Sequence, residues 1–128
     1  MAKPEFTEQI RRRFSDSDVR VIPPSFLVDL TPIGTGVLLI HATWSAPSIA
    51  SLGCWPRIVS IVDGPKPWLY IMDADSITPE WELRVLGRRI GGNGEAFWIR
   101  NRTIVARKGG YALQCDALVE PTRQLFQS

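Results

Sequence analysis

Val37-Leu38-Leu39-Ile40-His41-Ala42-Thr43-Trp44-Ser45-Ala46-Pro47-Ser48 is the stretch that decides how this chain is read. Residues 37–42 are apolar at both alternating sets of positions, with His41 the one polar member, as expected for a central strand covered on both faces. A short polar break follows. Pro47 then fits the first turn of a helix, where its missing N–H would have had no partner. Ser45 is the natural N-cap and Ser48 falls at N3. The helical stretch runs to about Val62, and Asp63-Gly64-Pro65-Lys66-Pro67 ends it. Trp68–Met72 is a second buried-type strand. Strand, helix and strand together make a right-handed β-α-β unit with a parallel pair.

Working outward, Phe6, Ile10 and Phe14 recur four apart on one helical stripe, with Arg11–Arg13 as its solvated flank. Val19–Ile22 reads as a short strand stopped by Pro23-Pro24. Phe26–Leu30 fits a strand or a helical turn equally, and Thr31–Gly36 is a loop by composition. Downstream, Ser76 or Thr78 caps a helix through about Arg89 whose apolar side is Trp81, Val85 and Leu86. Gly91-Gly92-Asn93-Gly94 is a break. Ala96–Arg100 and Thr103–Arg107 flank Asn101-Arg102 as an antiparallel hairpin. A last helix is expected from Tyr111 to about Leu118, followed by a frayed tail. The resulting division is an N-terminal helix and linker over 1–18, a domain over 19–120 and a tail over 121–128.

At 128 residues the chain is long enough for one domain with its own core. Its longest apolar run falls far short of the ~20 residues that span a bilayer, so no membrane partner is expected. Nor is a secretory signal, because no apolar run follows the charged start Met1–Glu5. Two cysteines, Cys54 and Cys115, exclude a disulfide scaffold and a multi-cysteine zinc site. With His41 the single histidine, neither a metal centre nor a cofactor is expected. The compartment these features suggest is the cytoplasm. Charge is uneven: residues 21–83 carry two basic and six acidic side chains, and residues 84–128 eight basic and three acidic. That asymmetry bears on partners rather than on fold.

Trp44-Ser45-Ala46-Pro47-Ser48 at the head of a helix, preceded by a core strand and followed by strand, helix, hairpin and helix, resembles the thioredoxin family. That family carries Trp-Cys-x-Pro-Cys at this place, and both cysteines here are serine. Phe97–Val105 is similar to the family's penultimate hairpin, and Gly110 to the glycine after its last strand. The resemblance covers residues 19–120. It implies an α/β three-layer sandwich, a central mixed sheet of four or five strands flanked by helices.

The family's chemistry needs a thiolate, which a helix N-terminus stabilises. A hydroxyl titrates far too high for the same field, and disulfide exchange is displacement of sulfur by sulfur. The family's buried acid falls on Leu39 and its cis-proline on Gly94, so three parts are lost together. Loss of all three marks a naturally degenerate motif rather than two cysteines replaced by serine, and no dithiol catalysis is expected. A Ser45–His41 hydrolytic dyad is disfavoured, since four residues of extended chain span about 13 Å.

Cys54 lies about 180° around the helix from Ser45, and both cysteines read as buried structural thiols. The tryptophans read mostly as core, with Trp44 at an exposed tip. By resemblance, the docking surface for a protein or peptide comprises Trp44, Ser45, Ala46, Pro47 and Ser48 with Asn93, Gly94 and Glu95. Two alternatives stand beside this non-catalytic, adaptor-like reading. One is a thiol-disulfide protein acting through Cys54 or within a larger thiol system. The other is an anion- or nucleic-acid-binding domain using the C-terminal basic face (Arg84, Arg88, Arg89, Arg100, Arg102, Arg107, Lys108). Nucleic acid is disfavoured, because no aromatic RNA-binding signature or phosphate loop accompanies those residues.

Overall fold

A computed structural model describes residues 4–14, 19–62, 64–109 and 115–126. Five strands form one mixed sheet: β1 (Val19–Val21), β2 (Gly36–His41), β3 (Leu69–Asp73), β4 (Glu95–Arg100) and β5 (Thr103–Lys108), in the order β1-β3-β2-β4-β5. β3 runs parallel to both β1 and β2, with Val37 opposite Leu69, whereas β4 is antiparallel to β2 and to β5. Every residue of β2 and β3 is buried. The edge strands β1 and β5 keep polar, exposed positions, as edges in contact with water do.

The pleat sends alternate side chains to two cores. Val37, Leu39, Ile71 and Trp98 face helix α1 (Pro4–Arg13) through Phe6 and Ile10, and helix α2 (Ala46–Ile61) through Leu52, Trp55 and Ile58. Leu38, Ile40, Met72, Phe97 and Ile99 face Trp81, Val85 and Leu86, together with Leu27, Leu30 and Ile33. Burying each such aliphatic side chain stabilises the fold by about 1.5–3 kcal/mol. The molecule is therefore α/β, with a five-stranded mixed sheet covered on both faces.

Several local expectations need correction. The third helix, α3 (Pro79–Trp81), is capped by Thr78 and widens into a π turn over Glu82–Leu86, ending at Gly87 with φ +76°. It stops short of Arg89 because a left-handed glycine terminates it and because the buried Glu82 carboxylate turns the chain back. That carboxylate accepts from Ile90 N–H at 2.8 Å and Arg89 Nε at 2.9 Å. Phe26–Leu30 is neither strand nor α-helix, since a 3₁₀ turn occupies Pro24–Phe26. The predicted start of the last helix, 111–114, lies outside the described residues. The chain beyond 118, expected to fray, instead forms α4 (Val119–Gln124), with Leu118 and Leu125 in the core and Thr122 Oγ1 accepting from Trp98 Nε1 at 2.9 Å. Trp68 is not core; it is 42% exposed.

The largest correction concerns the cysteines. Cys54 and Cys115 are joined in a disulfide, with Cα atoms 5.4 Å apart and a sequence separation of 61. They are not thiols. Closing a loop of that length removes unfolded-state entropy worth about 4 kcal/mol in the chain-entropy account.

The β4–β5 hairpin turns at Asn101 (φ +52°) and Arg102 (φ +65°). Two consecutive left-handed residues make a type I′ turn, which favours glycine at the second place. The turn is anchored, with Arg102 N–H donating to Gly34 O at 2.8 Å and Asn101 N–H to Thr35 Oγ1 at 3.2 Å. Arg102→Gly relieves the strained φ and keeps both bonds. We expect it to raise unfolding stability by about 0.5–1 kcal/mol in urea denaturation, with no loss of activity-independent markers such as near-UV circular dichroism.

Candidate functional site

The site is built where β2 hands over to α2. β2 ends at His41, and the chain reverses through Ala42–Ser45, with Ser45 N–H donating to Ala42 O at 3.2 Å. Ser45 caps α2, its hydroxyl accepting from Ser48 N–H at 3.3 Å, and Pro47 occupies the first turn. These two expectations match the structure. The reversal also swings Ser48 back under the strand it left. Its Oγ accepts from Ala42 N–H at 2.9 Å and lies 2.7 Å from His41 Nδ1.

His41 is thereby held from both sides. Its Nε2 lies 2.6 Å from Gln9 Oε1 on α1, and the Gln9 amide nitrogen donates to Thr43 O at 3.4 Å, which turns Oε1 toward the ring. Gln9 Oε1 can only accept, so Nε2 carries the proton. Nδ1 is then the acceptor for the Ser48 hydroxyl. Phe6 packs against the ring at a centroid distance of 5.7 Å. Burial, reinforced by the neighbouring Arg13 guanidinium, pushes the His41 pKa down to about 4. The imidazole is neutral at physiological pH.

Ser48, His41 and Gln9 thus form a chain with the connectivity of nucleophile, base and orienting group. It has no access to substrate. Ser48 is 1% exposed and His41 2%. The cavity between Leu39, His41, Ser48, Ser51, Leu52, Trp55 and Gly94 measures about 10 Å³, the room of a single water. The serine that pairs with His41 is Ser48, seven residues on, and not Ser45. Distance along an extended strand gave no sign of that pairing, because the reversal at 42–45 undoes it.

The second half of the site comes from the loop before β4. Gly94 (φ +82°) sits directly on α2. A Cβ placed on it would come within 2.6 Å of Ser48 Cα, and its carbonyl accepts from Ser51 Oγ at 3.4 Å. The segments 44–48 and 92–95 therefore lie side by side. Their side chains are unequally available, however. Ser45, Ser48 and Gly94 are buried, and the buried Glu95 carboxylate is committed to Arg107 and to Gly91 N–H. Those four cannot present side chains to a partner, while Ala46 is exposed and Pro47 and Asn93 are half-buried.

Trp44 is 65% exposed. Its indole N–H donates to Asp75 Oδ1 at 2.8 Å, and its ring leans on Gly92 so closely that a Cβ there would come within 3.1 Å of Cη2. Asp75 follows β3 in a 3₁₀ turn over Ala74–Ser76. Neither Gln9, Ser51 nor Asp75 was singled out from the sequence. The contacts that recruit them span 31 residues or more, with no local signal. No protein-family model and no curated protein sequence matches the chain. Among the described residues, no helix is long and apolar enough to cross a membrane.

Two outcomes follow from this geometry. Ser48→Ala strands a buried N–H on Ala42 and a buried ring nitrogen, and should cost about 2–3 kcal/mol. Ser45→Ala removes only the cap and should cost about 1 kcal/mol. Equilibrium urea unfolding of the two variants tests the ordering, which is the reverse of what a cap-only role for both serines gives. The second outcome concerns pH. The unfolded imidazole titrates near 6.5 and the folded one near 4, so the unfolded chain binds the extra proton between those values. Stability from this group is complete above pH 6.5 and is lost as pH falls toward 4, by up to about 3 kcal/mol. Unfolding midpoints of the wild type and His41→Gln at pH 7.5, 6 and 4.5 should converge as pH drops.

Proposed function

We propose that this protein is a non-catalytic thioredoxin-like module that binds an extended protein or peptide segment at the α2 N-terminal end of its sheet. Support for a thioredoxin-type sandwich comes from the motif Trp44–Ser48, together with a sheet ordered β1-β3-β2-β4-β5 in which the last two strands are antiparallel. The N-terminal helix α1 is an addition to that plan. It packs on the α2 face and supplies Gln9 to the buried network.

One observation carries the binding reading. Trp44 stands in solvent while its indole N–H and ring edge are both held, by Asp75 and Gly92. A large aromatic fixed in an exposed position loses little entropy when a partner covers it. Beside it runs the partly exposed backbone of Gly92 and Asn93, which in this reading supplies main-chain hydrogen bonds to an extended segment. The serines contribute no redox chemistry in this reading. Their hydroxyls are consumed in capping α2 and closing on His41. The cytoplasm remains the compartment we propose.

The test uses a reduced, alkylated model protein as the extended probe. Titration should shift the Trp44 indole and the Gly92 amide resonances, and Trp44→Ala should weaken binding at least fivefold. Arg102→Ala and Arg88→Ala should leave affinity within twofold. Binding lost in Arg88→Ala or Arg102→Ala but retained in Trp44→Ala would place the site on the basic face instead. In parallel, insulin reduction by dithiothreitol should run at the rate of the reagent blank, and turnover above it would overturn the non-catalytic reading. Gly94→Pro is not a usable probe, because φ +82° and the contact with Ser48 exclude the ring.

A further inference from the structure

The Cys54–Cys115 disulfide lies outside the motif region, on the face of α2 that meets the C-terminal segment. We infer that it is a thiol-exchange site, open to reduction by a thiolate, and that its reduction releases residues 115–126 from α2 while the sheet stays folded.

Three observations support this. First, the two sulfurs are unequal: Cys54 is 7% exposed, whereas Cys115 is half-buried at the start of a short 3₁₀ turn. An attacking thiolate reaches Cys115 Sγ first. Second, the segment is held by packing against the rest of the fold and not by its own helix. α4 has six residues, too few for a helix that stands without tertiary packing. Besides the disulfide, its contacts among the described residues include Leu118 and Leu125 in the core, Val119 packed against it, the Thr122–Trp98 hydrogen bond and Arg100 Nη1 donating to Gln124 O at 3.4 Å. Third, among the described residues the strand pairings are made within 19–108, and none passes through 115–126. Release would uncover the Trp98 indole and the apolar floor beside Trp55 without breaking a ladder.

The step balances as ordinary exchange. A thiolate attacks Cys115 Sγ, the Sγ–Sγ bond breaks, and Cys54 leaves as a thiolate that takes up a proton. A second thiolate then attacks the reductant's sulfur in the mixed disulfide. A small-molecule disulfide forms and Cys115 leaves as a thiolate, which is protonated. Two electrons pass from two thiols to the protein. Disulfides in reducing compartments are usually of this transient, redox-sensing kind.

The native full-length chain would be incubated in graded glutathione buffers and, separately, with dithiothreitol. Thiols would be counted by alkylation and mass spectrometry, and segments followed by hydrogen exchange. We expect two thiols to appear together without denaturant and the exchange rate of 115–126 to rise at least tenfold. β2, β3 and β4 should change less than twofold, and reoxidation should restore the original pattern. Reduction by dithiothreitol alone supports the site and narrows its reductant to a dithiol. Cys54→Ala/Cys115→Ala should show the reduced pattern with no reductant present; should that variant not fold, the titration of the intact chain still decides. Three results would overturn the proposal: thiols that appear only in denaturant, protection lost equally across β2–β4, or unchanged protection of 115–126 after full reduction.

Discussion

A strand buried on both faces cannot sit at the edge of a sheet, and β2 is buried at every position from Gly36 to His41. It therefore needs a neighbour on each side and a layer above and below. β3 comes to one side by the parallel return from α2, and β4 to the other by antiparallel pairing. The same constraint governs its end. His41 is a polar side chain carried into the interior by an apolar strand, and an imidazole without partners there would cost several kcal/mol. Gln9 of α1 and Ser48 of α2 meet that need. Hence the placement of α1 over the end of the sheet and the sharp reversal that opens α2 answer one requirement set by β2.

What could be read from the sequence was local. The double-faced apolar run gave β2, and Ser45 and Pro47 gave the start of α2, because caps and first-turn prolines act over three or four residues. Asn101-Arg102 gave the hairpin for the same reason, its turn and both strands being contiguous. What could not be read was set by distance in the chain. The Ser48–His41 contact crosses a reversal that alternation does not encode. Cys54 and Cys115 are 61 positions apart on elements whose packing is not a property of either one, so the sequence reading makes each a buried thiol and misses the bond between them. Glu82 shortened the third helix through contacts seven and eight residues on, with Arg89 and Ile90, which helix propensity alone ignores.

The serines are integrated into the fold in a way that two cysteines would not be. Ser48 Oγ both accepts a backbone N–H and donates to a ring nitrogen, at 2.9 and 2.7 Å. A thiol is a weaker donor and acceptor and needs longer contacts. Leu39, at the position where resemblance puts a buried acid, lines the same small cavity with Trp55 and Leu52. An apolar wall there suits a neutral, fully satisfied Ser–His pair and offers nothing to a second thiol that must lose a proton. Gly94 completes the arrangement, because only a residue without Cβ can lie 2.6 Å, measured from its ideal Cβ site, from Ser48 Cα. The serines, Leu39 and Gly94 thus each have a structural partner in the other two.

Trp44 fits no such internal account. Trp55 and Trp98 are fully buried and Trp81 nearly so, each contributing its ring to a core. Trp44 contributes its ring to water. Yet three separate segments meet at it: the reversal after β2, the 3₁₀ turn after β3 that carries Asp75, and the loop at Gly92. An indole that had merely failed to pack would have no reason to be bonded at its nitrogen and backed by a left-handed glycine. Gly92 at φ +76° allows the loop to pass beneath the ring, where any Cβ would collide with it. The fold thus spends local order on holding an exposed aromatic still, and a rigid apolar surface beside accessible backbone is what an extended chain needs in order to dock.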